Sequence, residues 1–220
     1  MHSSGPAEEE QPRKRVPWGV MALVLLTGLA LIRNGSGEFD TGPPQPASAA
    51  AADSRTTPQG VFARAPGPLP YSVVDRVRIP SIQVNAPVMP VGLDRDGWVD
   101  APPPQDANLA GWFTGAVSPG EKGTAVLVGH VDNVRGPAVF YGLGALRKGN
   151  RVDVLRNDGR TARFEVYGVE VFRKDAFPGD RVYGDRGVPE LRVITCGGGF
   201  SERDGYAGNV VVFARMVGVR

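Results

Sequence analysis

The chain has 220 residues, with 25 Lys+Arg against 23 Asp+Glu, 30 Gly, 20 Pro, two His and a single Cys. A hydrophobic content of 41% can build a core and excludes a wholly disordered chain. The balanced charge lacks the clustered basic face of a nucleic-acid binder, and one Cys excludes an internal disulfide, a Cys-rich zinc site or an iron–sulfur cluster.

Residues 1–15 are polar, read as a cytoplasmic tail, and end in Arg13-Lys14-Arg15. Val16 to Ile32 then run without a charge until Arg33, so residues 16–33 are expected to form a transmembrane signal anchor. Trp18 lies where an interfacial aromatic would sit, and Pro17 falls in the first turn, where its missing N–H costs nothing. The basic cluster precedes the apolar run, which keeps the N-terminus in the cytoplasm and puts everything after Arg33 outside the cell membrane. A cleaved signal peptide would need a small-residue site close behind the run, and Arg33-Asn34-Gly35-Ser36 is a poor one. A buried soluble helix would not need to be apolar on every face.

Residues 34–70 are rich in Gly, Pro, Ala, Ser and Thr, with few large apolar side chains, and read as a flexible linker. A chain of that length spans on the order of 30–35 Å. Residues 71–220 form the remaining domain and read mostly as strands. The run from Thr161 to Phe172 alternates polar and apolar residues with some slips, as a half-buried strand pair would. Shorter strand-like runs are Arg76–Ile79, Ile82–Val88, Thr124–Val128, Arg151–Leu155, Leu191–Thr195 and Val210–Ala214, separated by turn signals such as Asn157-Asp158-Gly159. Two short stretches look helical, Asp106–Phe113 and Val139–Leu146. Many strands and little helix favour a closed barrel, with a β-sandwich second.

His2 lies in the tail, so the exported domain contains one His, His130, and one Cys, Cys196. Both end a strand-like run, a place where the sheet fixes a side chain's direction while a groove leaves it accessible. Gly197-Gly198-Gly199 follow the Cys and put no side chains in a substrate's path. A thiol with an imidazole beside it can attack a carbonyl as a thiolate, and the imidazolium can hand its proton to the leaving amine. The plain structural alternative is a small buried Cys and a His satisfied within the fold.

Thr195-Cys196 at the end of an apolar strand, with Gly129-His130 ending an earlier one, resembles a sortase. The resemblance runs from about Val74 to Met216. It includes Arg78-Ile-Pro-Ser-Ile-Gln-Val-Asn-Ala-Pro-Val88, Ala138-Val-Phe-Tyr141 and Val193-Ile-Thr-Cys-Gly-Gly198, and the glycines after Cys196 look most like actinobacterial class F sortases. It implies an eight-stranded β-barrel with short helices and a cysteine transpeptidase without a cofactor. Such an enzyme cuts a Leu-Pro-x-Thr-Gly-like sorting signal of a surface protein after Thr, holds the acyl part as a thioester, and passes it to a cell-wall precursor amine. By motif, Cys196 is the nucleophile and His130 the general acid/base.

The family's third residue, an arginine opening the last strand, does not carry over cleanly. Its register position holds Asn209, while Arg203 lies earlier, in the Ser201–Gly205 loop. Either could donate to an oxyanion, and register favours Asn209. Asp132 could orient the imidazole if the strand continues past His130, though a turn role fits Asp132-Asn133 better. No carboxylate cluster compels a metal site. Rival classes fit less well. An L,D-transpeptidase carries its Cys in a different setting, a papain-like peptidase places Cys before His, and an anchored binding module would bury Cys196.

Overall fold

A computed structural model describes residues 42–46, 66–203 and 205–220. The tail, the apolar stretch read as an anchor and most of the linker lie outside the described residues, among which no helix is long and apolar enough to cross a membrane.

Ten strands follow in chain order: β1 (Val74–Ile79), β2 (Val84–Val91), β3 (Ala110–Phe113), β4 (Gly123–Val128), β5 (Asp132–Asn133), β6 (Gly136–Pro137), β7 (Arg151–Arg156), β8 (Thr161–Arg173), β9 (Pro189–Ser201) and β10 (Gly205–Val219). Eight of them close a barrel in the order β1-β2-β3-β4-β9-β10-β8-β7, with β7 pairing back onto β1. The pairs β2–β3 and β4–β9 are parallel and the rest antiparallel. Strands β5 and β6 form a separate hairpin immediately after His130. Helix is confined to α1 (Gly179–Tyr183) and three 3-10 turns among the described residues. The mainly β barrel expected from the alternation is therefore present.

Three sequence expectations are corrected. Asp106–Phe113 is not helical: Asp106 to Leu109 make a turn, and Ala110–Phe113 form β3, wedged between β2 and β4. Pairing with two neighbours decides a four-residue segment whose own preference is weak. Thr161–Phe172 is one long strand, not a pair. The slip in its alternation is a register shift opposite Phe213 and Ala214, where Gly168 and then Val166 take successive partners. The Val139–Leu146 stretch keeps only a 3-10 turn at Leu143–Ala145.

Alternation divides the side chains of β4, β9 and β10 between two apolar clusters. Ala125, Leu127, Leu191, Val193, Val210 and Val212 point into the barrel core. Val126, Val128, Ile194, Val211 and Phe213 face outward into a second cluster, with Val91 and Val182 of α1. Phe177, meeting Trp98 edge-on at 5.7 Å, packs on this outer cluster from the segment between β8 and β9. Thus three adjacent strands carry an apolar outer face, covered at one end by α1 and its flanks.

Buried charge fixes the frame. The Arg156 side chain, 0% exposed, donates to the carbonyls of Pro70 and Pro119, to Ser118 Oγ at 3.2 Å and to Asp158 Oδ2 at 3.1 Å. It thereby ties the segment that leads into β1 to the β3–β4 connection and the β7–β8 turn. On the outer face Arg192, also 0% exposed, pairs with Glu190 at 2.6 Å, lies over the Phe213 ring at 4.7 Å, and shares Glu190 with the Tyr167 hydroxyl.

Candidate active site

Strand register brings the sequence candidates together. β4 and β9 pair in parallel from Gly123 with Pro189 to Val128 with Ile194. The same offset continues past the strand: the Gly129 N–H donates to the Ile194 carbonyl at 3.2 Å, and Thr195 Oγ1 donates to the Gly129 carbonyl at 2.8 Å across 66 residues. His130 and Cys196 are the residues that directly follow this tied pair. Thr195 is buried and faces the core side, so its hydroxyl locks together the two strands whose next residues are the His and the Cys. Gly129 is needed there, because a Cβ would lie 2.7 Å from both Phe140 and Val139 side chains.

Asn209 is the direct cross-strand partner of Cys196 on β10. Residues directly opposite one another in an antiparallel pair project their side chains on the same face. That face is the outer one, since Asn209 precedes Val211 and Phe213 at period two, as Cys196 follows Arg192 and Ile194. Cys196, His130 and Asn209 are all half-buried. Arg203 lies elsewhere, exposed in the turn between β9 and β10.

The imidazole is held from behind. His130 Nε2 is 2.7 Å from the Pro102 carbonyl, which can only accept, so Nε2–H donates and Nδ1 remains to exchange a proton. Pro102 sits in the connection between β2 and β3, a partner that spacing does not reveal. The same connection reaches the β5–β6 hairpin, where Asn133 Nδ2 donates to the Pro104 carbonyl at 2.9 Å.

Asp132 opens the tight β5–β6 hairpin, in keeping with the turn role, and its carboxylate does not turn to the imidazole. Its carboxylate accepts a hydrogen bond from the Tyr206 hydroxyl, 74 residues away on β10. Burial, this bond and the Asp132 charge, with smaller contributions from Tyr141 and Cys196, hold the Tyr206 phenol well above its ordinary range. Tyr206 pairs across the sheet with Phe200, and the two rings lie 5.0 Å apart.

The glycines after Cys196 have distinct reasons. At Gly197 a Cβ would come within 2.5 Å of Val210 Cγ2, so the strand pair itself requires glycine. Gly198 has φ +79° at the register shift between Tyr206 and Gly208, a bulge that bends the hairpin just beyond Cys196. Only Gly199 faces open space. The Gly198 N–H also donates to Gln45 Oε1 at 3.2 Å, so part of the stretch read as linker, Gly42–Pro46, reaches the barrel two residues past the Cys. No group of three or more metal-ligating side chains occurs among the described residues.

A closed eight-strand barrel with its one Cys and one barrel His at adjoining strand ends is the layout of a cysteine transpeptidase. The family model described as "Sortase domain" matches residues 77–217, and the chain belongs to the sortase family. Among solved structures, the SrtA sortase from Actinomyces oris is 20% identical with a TM-score of 0.52, over 72% of this chain and 89% of that one. A lid mutant of sortase A from Corynebacterium diphtheriae is 18% identical with a TM-score of 0.51, over 68% and 73%. Sortase C-1 from Actinomyces oris is 24% identical with a TM-score of 0.50, over 65% and 73%. These likenesses are of fold. The search of curated proteins returned no match.

Proposed function

We propose that the protein is a membrane-anchored sortase that cleaves a Leu-Pro-x-Thr-Gly-like signal through a Cys196 thioester and transfers the acyl group to a cell-wall amine. The observation that supports this reading is the pairing of Cys196 with Asn209, together with the tie between Gly129 and Thr195, the residues just before His130 and Cys196, at one end of a shared apolar face. Val128, Ile194 and Val91, each slightly exposed at that end, suit the apolar residues of such a signal.

The steps follow from these residues. The Cys196 thiolate attacks the scissile carbonyl carbon and a C–S bond forms. Negative charge gathers on the carbonyl oxygen, where the Asn209 side-chain N–H donates to it. As the intermediate collapses, the C–N bond breaks and the His130 imidazolium gives its proton to the departing amine. The acceptor amine then loses its proton to His130, attacks the thioester carbon, and displaces Cys196 as thiolate. The cross-strand position of Asn209 supports it over Arg203 as oxyanion donor, since a donor must be preorganised beside the reacting carbonyl. The anchor at residues 16–33 places this chemistry outside the membrane, with the N-terminus in the cytoplasm. The glycines after Cys196 support a class F assignment.

The test is turnover of a fluorescent Leu-Pro-x-Thr-Gly peptide panel by the full chain with triglycine as acceptor. The reading predicts cleavage between Thr and Gly with the triglycine adduct as product. Cleavage at another bond, or none across the panel, would refute the substrate class.

A further inference from the structure

Beyond Cys196, β9 and β10 continue as a hairpin that the barrel core does not hold. Gly197 is the last core-side position, the bulge at Gly198 bends the strand, and Phe200 is 63% exposed. Besides the Gly198–Gln45 contact, a side-chain bond across the cleft ties this hairpin to the rest of the site. The Tyr206 hydroxyl, three residues before Asn209, donates to the Asp132 carboxylate, two residues after His130. Asp132 belongs in turn to the small β5–β6 hairpin, which is outside the barrel sheet. That hairpin is anchored on its other side by Asn133 to Pro104, in the connection whose Pro102 carbonyl accepts the His130 hydrogen bond. A continuous run of contacts therefore passes from the imidazole's backing carbonyl, through Asn133 and Asp132, to Tyr206 and the strand that carries Asn209.

The location assigns a role. Along the strands, the apolar outer cluster lies on the Arg192–Ile194 side of Cys196 and the Tyr206–Phe200 pair lies beyond it, on the Gly197–Ser201 side. If the acyl part of the signal rests on the apolar side, the incoming amine and competing water approach from the other. A thioester is attacked by both, and an amine wins over far more concentrated water only where it is positioned and water is kept out.

We propose that Asp132 and Tyr206 form a positioning latch that holds the β9–β10 hairpin against the strand carrying His130, and so sets how the acyl-enzyme divides between amine and water. This rests on the thioester reading above. Neither residue touches the reacting atoms; both act through the wall they keep in place.

The experiment uses the full chain with a Leu-Pro-x-Thr-Gly peptide and triglycine, measuring acylation rate, triglycine KM and kcat, and the aminolysis-to-hydrolysis ratio. Tyr206→Phe, which keeps the ring and loses the hydroxyl, should lower that ratio at least fivefold and raise the triglycine KM, while acylation slows less than threefold. Asp132→Ala should match it. Asp132→Asn, whose amide oxygen can still accept from the hydroxyl, should stay within twofold of the parent ratio. The Asp132→Ala, Tyr206→Phe double variant should be no worse than either single change. Amide exchange at residues 199–206 should quicken in Tyr206→Phe and Asp132→Ala and not in Asp132→Asn. An unchanged ratio in Tyr206→Phe, an equal loss of acylation and aminolysis, or additive effects in the double variant would overturn the latch. A parent chain that forms no thioester refutes the underlying reading and the acceptor role with it. In that event, unchanged exchange in Tyr206→Phe would also refute the tie itself.

Discussion

Arg192 and Cys196 stand four residues apart on the same strand and the same outward face, yet their surroundings are opposite. Arg192 is sealed: its guanidinium pairs with Glu190, rests on Phe213, and has no contact with solvent. Cys196 is half-buried, with an imidazole's strand on one side and an amide on the other. Backbone register is the same at both ends, so what differs is the cover: Glu190 and the Phe213 ring enclose one and glycines follow the other. Charge at the sealed end holds strands in place, whereas the open end leaves its sulfur free to react. A single strand thus carries a sealed ion pair at one end and an accessible thiol at the other.

The contrast can be broken at either end. Cys196→Ala should reduce turnover to background and leave the thermal midpoint within a few degrees, because a half-exposed thiol carries little packing; residual transfer would remove it as nucleophile. Arg192→Ala should do the reverse, costing about 3–5 kcal/mol of stability by leaving Glu190 buried without its partner. Chemical denaturation measures this, and a loss under 1 kcal/mol would mean that the sealed end is not an anchor. His130→Ala should slow acylation about a thousandfold, within the usual range for a general acid/base.

Asn209→Ala should lower turnover on the order of a hundredfold, as for loss of one oxyanion donor, and Arg203→Ala by much less. The reverse order would transfer the oxyanion role to Arg203. The smallest effect concerns acid. The hydrogen bond from Arg156 holds the Asp158 carboxyl below its usual range. Its contribution to stability is therefore present above the ordinary carboxyl pKa of 3.8 and is lost as pH falls through the lower folded value. Asp158→Asn should flatten the stability profile below about pH 4 and change it little at neutral pH.

Much of this was legible in the residues. Period-two alternation marks the strands that bear Cys196 and His130, and two reactive side chains at strand exits draw attention to themselves in a chain with one Cys. Asn209 is reached in the sequence only through the family resemblance, by counting back from the last strand, and its pairing with Cys196 is seen only in the fold. The unreadable parts depend on contacts that no local pattern encodes. Ala110–Phe113 is a strand only because β2 and β4 flank it. The carbonyl behind His130 belongs to Pro102, whose side chain has no part in the contact. Asp132 reads as a turn residue, and its bond to Tyr206 exists only because the barrel brings that strand to it; Arg192 looks like a surface charge until Glu190 and the Phe213 ring enclose it.

The most direct measurement is the intact mass of the full chain after incubation with a Leu-Pro-x-Thr-Gly peptide, beside the Cys196→Ala variant. A mass increase equal to the peptide's fragment through Thr, removed by hydroxylamine and absent from the variant, is the predicted result. An adduct that persists in Cys196→Ala, or a parent chain that alkylates readily at Cys196 yet never acquires the fragment across the peptide panel, would contradict it.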